Sequence, residues 1–178
     1  MPQERRVNIV QGQYYVSGEP DVVVSTLLGS CVAACLHDPL ARAGGVNHFL
    51  LPGRMEGARP GESERLGAHL MELLVNGLLK IGASRDRLQA KLFGGAKTVA
   101  GLTDIGAENG RFARRFLERE GIAIVAASLG GDIGRRIQYW PATGRARQQF
   151  MAKSLPSLDV AARLPLPPAA SRGEVELF

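Results

Sequence analysis

The sequence is poor in cysteine, in aromatic residues and in long apolar stretches, and each shortage narrows the range of functions. Only two of its 178 residues are cysteine, and aromatic residues make up 6%. No apolar run approaches the roughly 18 residues that span a bilayer. The charged residues 1–6 are not followed by the apolar block of a secretory signal. We therefore expect a cytoplasmic protein that is not embedded in a membrane.

The excess of positive charge has two interpretations. Lys and Arg total 22 against 17 Asp and Glu, a net charge of +5, and arginines cluster within residues 111–119 and 135–147. Such clusters attract nucleic acid or acidic proteins, but Glu118 and Glu120 interleave with the first cluster, as on a solvated helix face. Aromatic residues that could stack on bases are few, so we expect no nucleic-acid partner. An acidic protein surface remains an open alternative.

Length and composition predict one globular domain followed by a tail. Apolar residues make up 45% and charged residues 22%, which is typical of folded domains. A chain of this length buries roughly 70% of its unfolded surface, so it needs no metal or disulfide to fold. We place a single domain at residues 1–153. Residues 154–178 contain four prolines and no periodic apolar pattern, and we interpret them as a mobile tail.

The apolar periodicity predicts two long helices between two groups of strands. The helices cover about Ser63–Ile81 and about Asp104–Glu120, and a glycine follows each. The predicted strands are Val7–Val10, Val22–Thr26, Cys31–Leu36, Gly45–Leu51, Leu88–Phe93, Ile122–Leu129, Arg136–Trp140 and Arg147–Met151. This order of elements suggests a layered α+β fold.

The two cysteines differ in their local sequence. In a strand, Cys31 and Cys35 would lie roughly 13 Å apart, too far for a disulfide. Cys31 follows a Gly29-Ser30 turn, which can expose the thiol in a cleft and direct nearby backbone N–H groups towards an oxyanion. Cys35 lies deeper in the apolar run and is expected in the core. A buried structural cysteine is the competing interpretation for Cys31.

A thiol nucleophile needs a base, and His48 is the best of the three histidines. It is a polar residue within the apolar run Gly45–Leu51, where an imidazole needs a partner. Alone, it would be interpreted as a structural histidine. Paired with a Gly-Ser-Cys turn on a neighbouring strand, it becomes the candidate general base.

These motifs resemble the chemoreceptor glutamine deamidase family, CheD. The resemblance covers roughly Val7 to Lys153 and is carried by Leu28–Pro39, Gly44–Pro52, Phe93–Ala96, Ile105–Gly106 with Asn109, and Gly130–Gly131 followed by Gly134–Arg135. It implies an α/β/β/α sandwich of two mixed sheets with helices outside, similar to that of the cytotoxic-necrotizing-factor deamidases.

The resemblance also implies the roles of individual residues. Cys31 is the expected nucleophile and His48 the expected catalytic histidine. Ser25, six residues before the cysteine, is expected to orient His48, and the neighbouring Thr26 is the alternative. Backbone N–H groups of Ser30 and Cys31 are expected to form the oxyanion hole. We expect Asn47 and Phe49, which flank His48, to line the substrate cleft.

The implied reaction is hydrolysis of receptor glutamine side chains to glutamate through a Cys31 thioester, with release of ammonia. No metal or organic cofactor is expected. The expected partners are the cytoplasmic domains of chemoreceptors and CheC, a response-regulator phosphatase. The alternatives are hydrolysis of receptor glutamyl methyl esters in the same site and a regulatory module that binds without turnover.

Overall fold

The computed structural model describes residues 3–51, 59–98, 104–152 and 175–178. Within these ranges the chain forms ten strands, two α-helices and one short 3₁₀ helix at Arg85–Arg87. The elements are β1 (Arg5–Asn8), β2 (Tyr14–Ser17), β3 (Val22–Leu28), β4 (Val32–Asp38), β5 (Ala43–Asn47), α1 (Glu62–Lys80), β6 (Gln89–Gly94), α2 (Ile105–Arg119), β7 (Ala123–Leu129), β8 (Arg135–Trp140), β9 (Arg145–Phe150) and β10 (Val175–Leu177). Neither helix is long and apolar enough to cross a bilayer.

The strands form two mixed five-stranded sheets. Sheet A has the order β1-β3-β8-β9-β10, in which only β1 and β3 run parallel. Sheet B has the order β2-β5-β4-β6-β7, in which only β6 and β7 run parallel. The predicted α+β fold built on two mixed sheets is therefore confirmed.

Two apolar cores separate the layers. Alternate residues of β4 point to opposite faces of sheet B, so Ala33 and Cys35 enter the core between the sheets. Ala34 and Leu36 enter the core under the helices. Both α1 and α2 pack on sheet B, so the described ranges form three layers, β/β/α, and none of their helices lies on the outer face of sheet A.

The carboxyl-terminal prediction is wrong for the last residues. Val175–Leu177 forms β10, which pairs antiparallel with β9. Phe178 exchanges two backbone hydrogen bonds with Ala146, and its ring meets Phe93 edge-on at 5.4 Å. The segment is too short to display a periodic pattern, so no local signal predicts it. Residues 153–174 of the predicted tail lie outside the described residues.

Candidate active site

The pairing of β4 with β5 puts Cys31 and His48 on the same face of sheet B. Cys35 is opposite Val46, and Val32 is opposite Phe49 in a bridge beyond the strand ends. By this register Ala33 lies opposite His48, and Cys31 is two residues from Ala33. Cys31 and His48 are therefore diagonal cross-strand neighbours on the face of sheet B that is turned towards sheet A. The Cα atoms of such neighbours are roughly 7–8 Å apart. A thiol and an imidazole at this spacing are within reach of one substrate group.

Thr26 holds the His48 ring in one orientation. Its hydroxyl oxygen lies 2.7 Å from Nδ1 of His48, and the hydroxyl donates to the carbonyl of Ile9 at 2.8 Å. A hydroxyl has one hydrogen, so with that hydrogen on Ile9 it must accept from the ring. His48 is therefore the tautomer that carries its proton on Nδ1, and Nε2 carries the free lone pair.

The assignment of the orienting contact to Ser25 is corrected by this geometry. Side chains alternate along a strand, and the inward residues of β3 include Val24 and Leu28. Thr26 shares their parity and is buried, whereas Ser25 points to the outer face of sheet A. The alternative named in the sequence analysis, Thr26, makes the contact.

The Nε2 atom of His48 is buried and has no hydrogen-bond partner among the described residues. A buried nitrogen without a hydrogen-bond partner lowers the stability of the fold, and such atoms are rare outside functional sites. Since Nδ1 is the proton-bearing atom, Nε2 is the atom that can accept a proton. Unlike a fully satisfied structural histidine, the His48 ring has one nitrogen without a hydrogen-bond partner among the described residues.

A tight turn between β1 and β2 covers this end of the site. Gly12 donates to the carbonyl of His48 at 2.8 Å, and the His48 N–H donates to Gln13 at 3.0 Å. The exposed Gln11 side chain projects from this turn, and its carbonyl oxygen accepts from the Cys31 thiol at 3.8 Å. The sequence analysis missed Gln11 because nothing in its pattern marks a turn residue as a neighbour of a distant cysteine.

Burial keeps both reactive groups neutral in the free protein. Loss of solvent raises the pKa of the Cys31 thiol, and a hydrogen bond from its own backbone N–H opposes this only in part. Burial also lowers the pKa of His48. Both shifts favour a thiol beside a neutral imidazole over a thiolate–imidazolium pair. The chemistry that fits is proton transfer to His48 during attack.

The loop before Cys31 is fixed by three hydrogen bonds to its carbonyl groups. The backbone N–H of Ala96 donates to Gly29 at 3.0 Å, the N–H of Gly95 donates to Cys31 at 2.8 Å, and the Asn109 side chain donates to Ser30 at 2.8 Å. Residue 94 must be glycine here: its φ is +108°, and a Cβ would lie 2.2 Å from the Cys31 oxygen.

Asn47 and Phe49 do not line the cleft, so that prediction is wrong. Their parity is opposite to that of His48, and both side chains enter the core under the helices. The Asn47 amide accepts from the Ala34 N–H at 3.0 Å and donates to the sulfur of Met71 at 3.3 Å. Phe49 meets Phe112 edge-on at 6.1 Å. Neighbours of a catalytic residue in sequence face away from it when they share its strand.

The amino-acid sequence is also similar to those of proteins with an assigned family. A sequence model described as "CheD chemotactic sensory transduction" matches residues 50–149. A "probable chemoreceptor glutamine deamidase CheD" from Rhizobium rhizogenes is 59% identical over 81% of this chain and 79% of its own. The protein of the same name from Agrobacterium fabrum is 52% identical over 98% of this chain and 97% of its own.

The chain belongs to the CheD family. The Caulobacter vibrioides protein of that name is 51% identical over 97% of this chain and 93% of its own. Among solved structures, a hypothetical protein YfiH from Bacillus licheniformis is similar with a TM-score of 0.44 at 11% identity, covering 72% of this chain and 60% of that one. The matched region 50–149 begins after Cys31 and His48, so these two residues stand on the geometry above.

In the arginine cluster at residues 135–147, Arg135 has a structural role. Arg135 is 2% exposed and donates to the carbonyl groups of Ser128 and Gly130. The turn that it holds accepts a backbone N–H from Lys97 and donates one to Gly94. Arg135 therefore supports the backbone next to the Cys31 loop and is not available to an acidic partner.

Proposed function

We propose that this CheD chain hydrolyses glutamine side chains of chemoreceptors to glutamate, with Cys31 as nucleophile and His48 as base. The geometry of the pair supports the assignment: Cys31 and His48 share one face of sheet B, and the contact with Thr26 leaves the lone pair of His48 on Nε2. The names of the relatives supply the reaction and the substrate class.

In the first half-reaction, Nε2 of His48 accepts the Cys31 proton as Sγ attacks the side-chain carboxamide carbon. The carbonyl oxygen becomes an oxyanion, stabilised by the backbone N–H groups of Ser30 and Cys31. The tetrahedral adduct then expels its amino group, which takes the proton from His48 and leaves as ammonia. A thioester between Cys31 and the substrate remains.

In the second half-reaction, water attacks the thioester carbon while Nε2 of His48 accepts a proton from that water. Collapse of the second tetrahedral adduct breaks the carbon–sulfur bond. The proton returns from His48 to Cys31, and glutamate leaves. Every proton in the two half-reactions moves between Cys31, His48, the substrate and water. Thr26 keeps the ring in one tautomer throughout, so one nitrogen accepts and returns both protons.

The substrate is proposed to be the cytoplasmic region of a chemoreceptor, and a CheC-type phosphatase is proposed as a regulatory partner. A glutamyl methyl ester would give the same thioester and release methanol in place of ammonia. Ester hydrolysis would therefore follow the same mechanism, and the experiment below also tests it. Binding without turnover predicts no change in receptor mass.

The test is mass spectrometry of a receptor cytoplasmic fragment after incubation with the protein. Each conversion of glutamine to glutamate adds about one mass unit, because an amide becomes an acid. Cys31→Ala and His48→Ala should abolish the change and remain folded, and Cys35→Ala is the matched control that should retain it. Full activity of Cys31→Ala would refute the covalent mechanism.

A further inference from the structure

Asn109 joins the chain segment just before Cys31 to the segment just after His48. It lies on α2, is fully buried and uses both ends of its amide. Its nitrogen donates to the carbonyl of Ser30 at 2.8 Å, directly before the nucleophile. Its oxygen accepts the N–H of Leu51 at 2.9 Å, three residues after the base. One side chain thus spans from the nucleophile loop to the strand of the base.

The first of these bonds fixes more than a carbonyl group. A trans peptide is planar, and its C=O and N–H point in opposite directions. The peptide between Ser30 and Cys31 has its oxygen held by Asn109, so the N–H of Cys31 must point to the other side. Ala96 holds the preceding peptide through Gly29 and directs the N–H of Ser30 in the same way. These two N–H groups are the proposed oxyanion donors.

The helix reaches this loop because small residues allow close approach. A Cβ on Gly106 would lie 2.4 Å from the carbonyl oxygen of Gly95, and a Cβ on Gly95 would lie 2.8 Å from that of Gly106. Asn109 is one turn further along α2 and enters the same contact. The start of α2 thereby packs against the turn after β6, which in turn bonds to the loop before Cys31 through Gly95 and Ala96.

We propose that Asn109 is a positioning residue that aims the Cys31 N–H at the developing oxyanion and holds the nucleophile in register with His48. The proposal rests on the proposed covalent mechanism. If Asn109 has this role, its loss slows acylation of Cys31 more than it slows alkylation of the same thiol. A residue that served packing alone would affect both equally.

Two chemical probes of Cys31 separate these effects. Acylation by p-nitrophenyl acetate passes through an oxyanion, whereas alkylation by iodoacetamide displaces iodide at a saturated carbon and forms none. Both rates are measured for the full chain, with Cys31→Ala as the blank and urea unfolding as the check on folding. Gln148→Ala is the matched control. This fully buried amide on β9 donates to Ser128 on β7 of sheet B and to Glu176 on β10 of sheet A.

Asn109→Ala should lower the acylation rate and the kcat for a receptor fragment by about 10²-fold or more, the typical loss of one oxyanion donor. The alkylation rate and KM should stay within about threefold, because neither requires the donor. Gln148→Ala should leave both probe rates within about threefold. Equal losses in acylation and alkylation, or no loss in a folded variant, would overturn the proposal.

Asn109→Asp provides a second variant, since it retains the acceptor for Leu51 and replaces the donor to Ser30. It carries the same expectation if Asn109→Ala does not fold, and failure of both to fold would make Asn109 a folding residue and overturn the proposal. If the wild-type chain leaves receptor fragments unchanged while Asn109→Ala still separates the two probes, the receptor substrate is wrong and the positioning role stands.

Discussion

The hydroxyl of Thr26 accepts a hydrogen bond from Nδ1 of His48 across 2.7 Å while it donates its own hydrogen to Ile9. The Ile9 carbonyl therefore decides the direction of the contact, and the contact decides the tautomer of the ring. The main-chain oxygen of Ile9, the residue after β1, thus determines which nitrogen of His48 keeps its lone pair free. Serine at position 26 would preserve this relay, and valine would remove it.

Thr26→Val should reduce kcat by about 10- to 100-fold, because the Nδ1 proton and the Ile9 carbonyl lose a partner in a buried setting and each loss costs about 1–3 kcal/mol. Thr26→Ser should remain within about threefold. Ser25→Ala, on the opposite face of the strand, should also remain within about threefold. Rates on one receptor fragment measure all three, and a large loss in Ser25→Ala with none in Thr26→Val would reverse the assignment.

The pH dependence of Cys31 alkylation should show a high-pH thiol. Burial raises the pKa of Cys31 above its ordinary value of about 8.5, so the iodoacetamide rate should rise about tenfold per pH unit between pH 7 and 8.5. Cys35, buried in the inter-sheet core with a still higher pKa, should react far more slowly. A plateau below pH 7 would indicate a preformed thiolate–imidazolium pair instead.

Deamidation should lose activity only on the acid side of pH 6.5. Burial lowers the pKa of His48 below its ordinary value of about 6.5. The neutral base therefore persists as pH falls through 6.5 and disappears below it. The kcat/KM profile of a receptor fragment between pH 5 and 8 measures the acid limb. A limb centred above pH 7 would contradict the role of burial at this residue.

Gln11→Glu should slow thiol ionisation, since it would place a carboxylate where an amide oxygen now accepts from Cys31. Like charges disfavour each other, so the carboxylate should raise the thiol pKa and lower alkylation at pH 8. Gln11→Ala is the control and should change the alkylation rate by less than about twofold, because the sulfur contact is weak. The two variants compared at low and high salt isolate the charge effect.

Asp38 should contribute stability that acid removes. Burial alone would raise the pKa of this carboxyl, but two bonds from Arg87 and backbone N–H groups of Ser84, Ala41 and Leu40 hold it well below its usual range. The contribution is complete above the unfolded pKa of about 3.9 and declines as pH falls below it.

Asp38→Asn should therefore lower the free energy of unfolding by about 2 kcal/mol at pH 7, the scale of charge-assisted hydrogen bonds. The difference from wild type should shrink at pH 3. Urea unfolding at both pH values measures it. The exposed neighbour provides the control, since Asp86→Asn should change little at either pH, and a difference that grows towards pH 3 would contradict the assignment.

Phe178→Ala should lower the free energy of unfolding by about 1–3 kcal/mol, the value of burying part of an aromatic side chain. Its ring packs on Phe93 between the sheets. Leu177→Ala, at a side chain that is 72% exposed, should change stability by less than about 0.5 kcal/mol. Equal effects of the two substitutions in thermal or urea unfolding would show that the ring contact adds nothing.

The sequence predicted those parts of the fold whose signal is local. Apolar periodicity located α1 and α2 within one or two residues, and apolar runs located eight strands. Tyr14–Ser17 was missed because β2 is a short edge strand of mixed polarity, which becomes a strand only by pairing with β5. Which face each strand buries follows from the pairing register, and a single sequence does not contain that register.

The same limit explains the site. The Gly-Ser-Cys turn and the polar His48 in an apolar run were visible as local anomalies. The choice between Ser25 and Thr26 depended on the parity of β3 across a turn. Gln11 contacts Cys31 from 20 residues away along the chain, and Asn109 contacts Ser30 from 79 residues away. These contacts form only when the sheet and α2 have assembled. The resemblance included Asn109 but gave it no role.

The separation of the two thiols has a consequence for oxidative damage. Cys31 and Cys35 lie on the same face of the strand but two residue pairs apart, roughly 13 Å, and the chain has no third cysteine. A sulfenic acid on Cys31 would therefore meet no resolving thiol from its own chain, and its reduction would require an external thiol. The raised thiol pKa counteracts this, because peroxide reacts with thiolate and the resting enzyme holds little of it. Burial of the Cys31 thiol therefore slows the first oxidation, whereas repair after it depends on a thiol from outside the chain.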